Sequence, residues 1–211
     1  MSKEYEVRPI GLSGVAQAGK DTFCRLMINE LAKDGVRAER FALADELKRD
    51  LDAFLIDKFG ISSFTTDKDE KTLIRNILVA YGKTHRIRSK GTYWTSKLQK
   101  KMEVAIGEGI IPIVTDIRYS YYEYDEVQWI KEGMGGYLIH IGRFMEDGRA
   151  VPPANADEKE NDPKVHGAAD VNLSVPFVSG PDPEQSQHLK VLAANLVKNL
   201  ETNGIINKTV R

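Results

Sequence analysis

Two hydrophobic periodicities take turns along this chain, short apolar runs giving way to stretches in which apolar residues recur every three or four positions. They predict strands and helices in alternation. The run that begins at Val7 stops at Gly11–Ser13, and Phe23, Met27, Ile28 and Leu31 then line one side of a helix that Gly35 should end. Arg37–Leu43 predicts a second strand, and Asp45–Phe59 a helix capped by Asp45. A polar loop over Ile61–Asp69 leads to helices over Glu70–Tyr81 and Thr92–Gly107. The stretch Gly109–Arg118 contains a continuous apolar strand, Ile110–Thr115, of the kind buried on both faces of a parallel sheet. A helix over Tyr121–Glu132, a strand over Gly136–Gly142 and a long polar, proline-bearing loop over Arg143–Gly167 follow. A short strand over Asp170–Leu173 and a helix over Pro183–Leu200 close the pattern, and Thr202–Arg211 should fray. The alternation argues for one α/β domain spanning 1–211, a parallel sheet with crossover helices.

Composition narrows the classes. The 211 residues suffice for one domain with a substantial core, and a net charge of −1 provides no field to recruit nucleic acid or an anionic membrane. No apolar run approaches the ~20 residues of a membrane span. The opening MSKEYEV is charged and lacks a signal-peptide core. A lone cysteine, Cys24, excludes an internal disulfide and suits a reducing compartment, so the expected location is the cytoplasm. Cys24 falls on the first helix, where it reads as a small buried side chain. The four histidines are scattered without ligand spacing, which argues against structural zinc, and His140 reads as a packed strand residue.

The densest chemistry lies between the first strand and the first helix. Gly14-Val15-Ala16-Gln17-Ala18-Gly19-Lys20-Asp21-Thr22 is a glycine-bounded loop with a lysine at its end. Such a loop turns successive N–H groups inward around phosphate oxygens, with a helix N-terminus behind them and the lysine as a mobile charge. Asp21 stands where a Ser or Thr hydroxyl ordinarily meets Mg2+, and Thr22 comes one place later. The alternative is a glycine-rich turn with an incidental lysine.

Three further features fit a nucleoside-triphosphate site. Asp116 ends the apolar strand, where a parallel sheet presents residues to its ligand crevice, so it either supports Mg2+ or caps the segment that follows it; Arg118 points the same way. Lys83, Arg86, Arg88 and Lys90 place four cations in eight positions, read as an anion-attracting turn between two helices, as a solvated basic turn or as a small nucleic-acid patch, the last disfavoured by its shortness and the slightly acidic chain. The loop Arg143–Gly167 carries Arg143, Arg149 and the acidic run Asp157–Asp162, and reads either as a lid that brings a cation onto a transferring phosphoryl group or as a surface loop.

In this order the motifs resemble the deoxynucleoside monophosphate kinases of bacteriophages, within the P-loop nucleoside monophosphate kinase group. The resemblance rests on Gly14–Thr22 with its Gly-Lys-Asp, on Phe41–Lys48, on Gly82, Arg86 and Trp94, on Asp116-Ile-Arg118-Tyr119 followed by Glu123, and on Gly136–Arg143. It covers roughly Val7 to Leu173. Two departures stand out: the acidic residue after Asp116-x-Arg is displaced, and either Glu158 or Glu160 answers to the acidic residue after the lid. The resemblance implies a P-loop kinase, a parallel sheet flanked by helices on both faces, with acceptor-binding helices and a lid. It implies ATP as phosphoryl donor, a dNMP as acceptor, and Mg2+ supported by Asp116 and Asp21. The N–H groups of Val15–Lys20 would hold the donor phosphates, and Lys20 would follow the migrating charge. Arg86, Arg88 and Arg118 would fix the acceptor phosphate, and Arg143 or Arg149 would serve from the lid. The implied partners are small nucleotides and at most a second copy of the chain, with no nucleic acid and no membrane. The rival readings are other small-molecule P-loop kinases, of dephospho-coenzyme A or phosphomevalonate type, a P-loop ATPase acting on nucleic acid or within a protein assembly, and a catalytically dead binding module, since Asp21 breaks the usual metal-ligand pattern.

Overall fold

Strands that must be covered on both faces carry little but apolar side chains, and β1 (Ile10–Ser13) and β3 (Ile111–Ile117) are of this kind. In the structure, a computed structural model that describes residues 7–145, 147–153, 155–176 and 183–206, they lie side by side within a five-stranded sheet. With β2 (Ala38–Phe41), β4 (Tyr137–Phe144) and β5 (Val171–Pro176) the order is β2-β3-β1-β4-β5, and every pairing is parallel. Ile10 is level with Ile113 on one side and Tyr137 on the other.

Parallel pairing forces the return chain over the sheet faces, and alternate strand residues serve opposite layers. Ile113, Ile139 and Ile141 pack with α1 (Lys20–Lys33) and α7 (Pro183–Thr202). Val114 and Leu138 face the other way, onto α4 (Thr92–Gly107), the short α5 (Glu126–Gln128) with its π-helical continuation Trp129–Gly133, and α6 (Ala156–Ala168). The remaining helices, α2 (Leu43–Phe59) and α3 (Lys68–Arg88), form a separate small core from Leu51, Leu55 and Ile74. A parallel sheet flanked by helices on both faces is thus the fold. The connection leaving β1 travels to one side of the sheet and that leaving β3 to the other, so a crevice opens at their carboxyl ends.

Several expected boundaries move, each for a physical reason. Asp45 does not cap α2, which starts two residues earlier behind an extended Ala42; the chain leaving β2 lands beside the end of β3, and a β3 carboxylate takes the first helical N–H groups. The expected basic turn is mostly helix. Gly82 sits inside α3 because Leu47 of α2 presses there, 2.3 Å from where a Cβ would be, and the turn shrinks to Ser89–Gly91. No helix forms over Tyr121–Asp125, because the Asp125 carboxylate accepts the Tyr121 and Tyr122 N–H groups and folds the segment into a turn. Half of the expected loop Arg143–Gly167 is α6, capped by the Asn155 side chain, which accepts the Glu158 N–H at 2.9 Å.

Cys24 is buried, and burial pushes its thiol up to about 12, an inert packing residue as expected. His140 is buried with Nε2 3.0 Å from Asp162 Oδ1. Of the tail expected to fray, residues 207–211 lie outside the described residues. Among the described residues no helix is long and apolar enough to cross a membrane.

Candidate active site

The loop between β1 and α1 is shaped by three residues in the left-handed region, Gly14 (φ 131°), Gln17 (φ 62°) and Gly19 (φ 86°). Gly14 is required by space as well as by φ, since a Cβ there would lie 2.3 Å from the Ile141 carbonyl oxygen of β4. Left-handed residues interspersed with ordinary ones gather N–H groups into a concavity suited to anions. The Ala18 N–H closes the turn onto Val15 O at 3.1 Å. Arg143 braces the loop from β4, donating to Gln17 O at 3.0 Å and Pro176 O at 3.3 Å.

Lys20 is buried, and its ammonium donates back to Gly14 O (2.7 Å) and Val15 O (2.8 Å). Desolvation, helped by the nearby Arg118 charge, pulls its pKa down to about 8 against the opposing pull of Glu158, Asp116 and Asp21. The Ala16 N–H donates to Glu158 Oε2 at 3.2 Å, so a carboxylate from α6 already lies against the anion concavity.

The two expected metal carboxylates are placed differently. Asp21 turns out of the site: it is largely exposed and accepts from Arg40 Nε at 2.8 Å, while Arg40 Nη1 also reaches Asp45 at 2.8 Å. Thr22 is exposed beside it. Asp116 does stand at the crevice, but both its oxygens accept α2 N–H groups, Leu43 at 2.9 Å and Ala44 at 2.8 Å. Burial raises its pKa, opposed by those two bonds and by Arg118 and Arg40. Among the described residues no group of three or more His, Cys, Asp or Glu gathers to hold a metal ion. Such a donor set fits only a Mg2+ that arrives on nucleotide phosphates, keeps its waters and leans on the lone pairs Asp116 has left.

Beside Asp116 opens a cavity of about 600 Å³, between α2, α3, the end of β3, the Tyr119–Tyr122 turn and α6. Its walls combine the apolar Leu43, Leu47, Leu78 and Ile87, the aromatic Trp94, Tyr119, Tyr121 and Tyr122, and the cations Lys48, Arg75, Lys83, Arg86 and Arg118. The α6 side contributes Asp157, Glu160 and Asn161. That size and mixture suit a molecule as large as a nucleotide. Arg86 stacks its guanidinium 3.7 Å from the Tyr119 ring centre and pairs with the buried Asp125. Arg118 also lines the cavity, 3.7 Å from Glu158 Oε1.

Of the expected residues, Arg86 and Arg118 are brought together at the cavity, whereas Lys20 and Arg143 are at the loop. Arg88 is not with them: near the end of α3 it is exposed and outside the lining, because a helix continuing through position 88 turns it away from Arg86. Arg149 is also exposed, paired with Asp147. Glu123 is exposed, and the carboxyl that enters the cavity wall is Glu126, accepting the Arg118 N–H at 2.7 Å and the Tyr119 N–H at 3.1 Å. Burial, then the neighbouring Asp125 charge, raises Glu126 to about 8. Its position had no sequence signal, since it depends on the turn that Asp125 makes. Between Glu158 and Glu160, Glu158 reaches the phosphate loop and Glu160 lines the cavity.

No protein-family model matches the chain, and no curated protein matches it in sequence. Among solved structures it is similar to Mycobacterium tuberculosis APS kinase CysC in complex with AMPPNP and APS, at 12% identity over 93% of this chain and 98% of that one, TM-score 0.48. It is similar also to dephospho-CoA kinase from Campylobacter jejuni (12% identity, 90% and 98% of the two chains, TM-score 0.47). Shikimate kinase from Acinetobacter baumannii in complex with shikimate follows at 14% identity, 94% and 98% coverage and TM-score 0.40. These likenesses are remote; the P-loop α/β class rests on the strand order and on the loop with its lysine.

Proposed function

We propose that this chain transfers the γ-phosphoryl group of ATP to a deoxynucleoside monophosphate, giving a dNDP and ADP. The observation that carries the reading is the cavity beside the loop, in which a guanidinium stacked on Tyr119 and a second one at Arg118 face a nucleotide-sized space with aromatic walls. Donor phosphates take the concavity of Val15–Lys20, with Lys20 released from its two carbonyls to follow the charge. Mg2+, when bound, neutralises charge on the phosphates. The acceptor puts its phosphate between Arg86 and Arg118 and its base among Trp94, Tyr121 and Tyr122. An acceptor that is already an anion needs no strong base, so alignment and charge stabilisation do the catalysis.

ADP release measured with each dNMP, each NMP and a set of non-nucleotide phosphate acceptors tests the reading. Stimulation by one or more dNMPs is the expected result. Stimulation only by a coenzyme A precursor, by phosphomevalonate or by nucleic acid would replace it with a rival.

A further inference from the structure

Asp125 is not among the residues that line the cavity, but it holds one that is. Its side chain is fully buried, and Oδ2 gathers donors from the Arg86 guanidinium, the Tyr121 N–H (3.1 Å) and the Tyr122 N–H (3.3 Å). The turn after α3 is shaped around it. Gly91 has φ +94°, and a Cβ there would lie 2.8 Å from Asp125 Oδ1. Arg86, in turn, is clamped between this carboxylate and the Tyr119 face while it lines the cavity.

A buried ion pair is a weak source of stability, because desolvation cancels most of the attraction. Its effect on geometry is larger. A free arginine at a cavity wall samples many rotamers and loses that freedom when it binds a phosphate, whereas one held in place has already lost it.

We propose that Asp125 is a positioning residue for phosphoryl transfer, holding the Arg86 guanidinium against Tyr119 and aimed at the phosphate of the acceptor; this rests on the acceptor reading given above. The carboxylate takes one Nη2 donor, and among the described residues Arg86 Nε has no hydrogen-bond partner. The same carboxylate sets the Tyr119–Tyr122 turn through two N–H groups, so one buried group fixes both the cation and the aromatic wall it rests on.

The test is a double-mutant cycle of Asp125→Asn and Arg86→Ala, run with whichever phosphorylated acceptor the wild-type protein turns over. Asparagine keeps an oxygen for the two N–H groups and removes the charge that holds Arg86. Asp125→Asn should lower kcat/KM for the acceptor roughly tenfold to a hundredfold, leave KM for ATP unchanged, and have little further effect in the Arg86→Ala background. Additive losses in the double variant, or equal losses toward ATP and acceptor, would overturn the proposal. A second measurement needs no change at position 125. Nitrogen-15 spectra of the wild-type protein without acceptor should show the Arg86 guanidinium in hindered rotation; free rotation would overturn the proposal even if no acceptor had been found. Turnover of a non-nucleotide phosphate ester would refute the dNMP reading alone, since the cycle is then run with that ester.

Discussion

The Glu158 carboxylate of α6 accepts the Ala16 N–H of the phosphate loop at 3.2 Å, while its other oxygen lies 3.7 Å from Arg118. A side-chain anion therefore occupies an edge of the concavity proposed for the donor phosphates, and on that proposal ATP would have to displace it. Glu158→Ala should tighten ATP binding several-fold, on the order of 1 kcal/mol for one hydrogen bond to a charged group no longer broken. Calorimetric titration with ATP checks this. Weaker binding by the variant would mean that Glu158 assists the donor.

Lys20 provides a pH signature. Its pKa of about 8 reflects burial, and donor phosphates, by adding negative charge, raise it again. ATP therefore binds the protonated form better, and affinity should fall as pH rises past about 8. At that pH binding should take up part of a proton, seen as a calorimetric enthalpy that depends on the buffer. Lys20→Ala should remove the uptake and abolish transfer, a loss of several kcal/mol at the transition state, with an unchanged circular-dichroism spectrum.

Asp116 and Asp21 should fail differently. Asp116→Asn leaves one oxygen for the two α2 N–H groups, so it should lower stability by about 1 kcal/mol as a lost cap and reduce kcat besides. Asp21→Ser breaks only an exposed pair with Arg40 and should leave both stability and kcat near the parent values. Thermal melts with steady-state rates over a Mg2+ titration separate the two.

Glu126 should make the protein less stable as pH rises. With a folded-state pKa of about 8 against 4.5 for the free side chain, the folded form keeps a proton that the unfolded form has released. The cost grows from about pH 4.5 and is complete above about 8. Glu126→Gln, which keeps an oxygen for the Arg118 and Tyr119 N–H groups, should melt higher than the parent by a margin that widens from pH 5 to pH 8. A margin independent of pH would contradict a neutral Glu126.

Periodicity carried most of the fold. All five strands and the helices over α1, α2 and α4 lie within a few residues of where apolar spacing put them, because each has a face to bury. The misses share a cause. Asp116 capping α2, the Arg86–Asp125 pair at the turn before α5, and Leu47 seating Gly82 inside α3 are contacts between segments far apart in the chain. The phosphate loop was legible because its chemistry is local, four residues between two glycines with a lysine directly after the second. Glu126 and Asp125 were not, since nothing near them in sequence distinguishes a buried acid from a solvated one. The Arg40 partner of Asp21 was not legible either, because it comes from a neighbouring strand.

Arg86 and Arg88 are two residues apart, yet only Arg86 faces the cavity. Separate steady-state titrations of ATP and dNMP with Arg86→Ala and Arg88→Ala therefore examine the division of the site into a donor loop and an acceptor cavity. Arg86→Ala should raise KM for the dNMP or lower kcat by tenfold or more, with KM for ATP unchanged, and Arg88→Ala should match the parent in both. Loss of ATP binding in Arg86→Ala with normal acceptor binding, or equal damage from the two substitutions, would contradict that division.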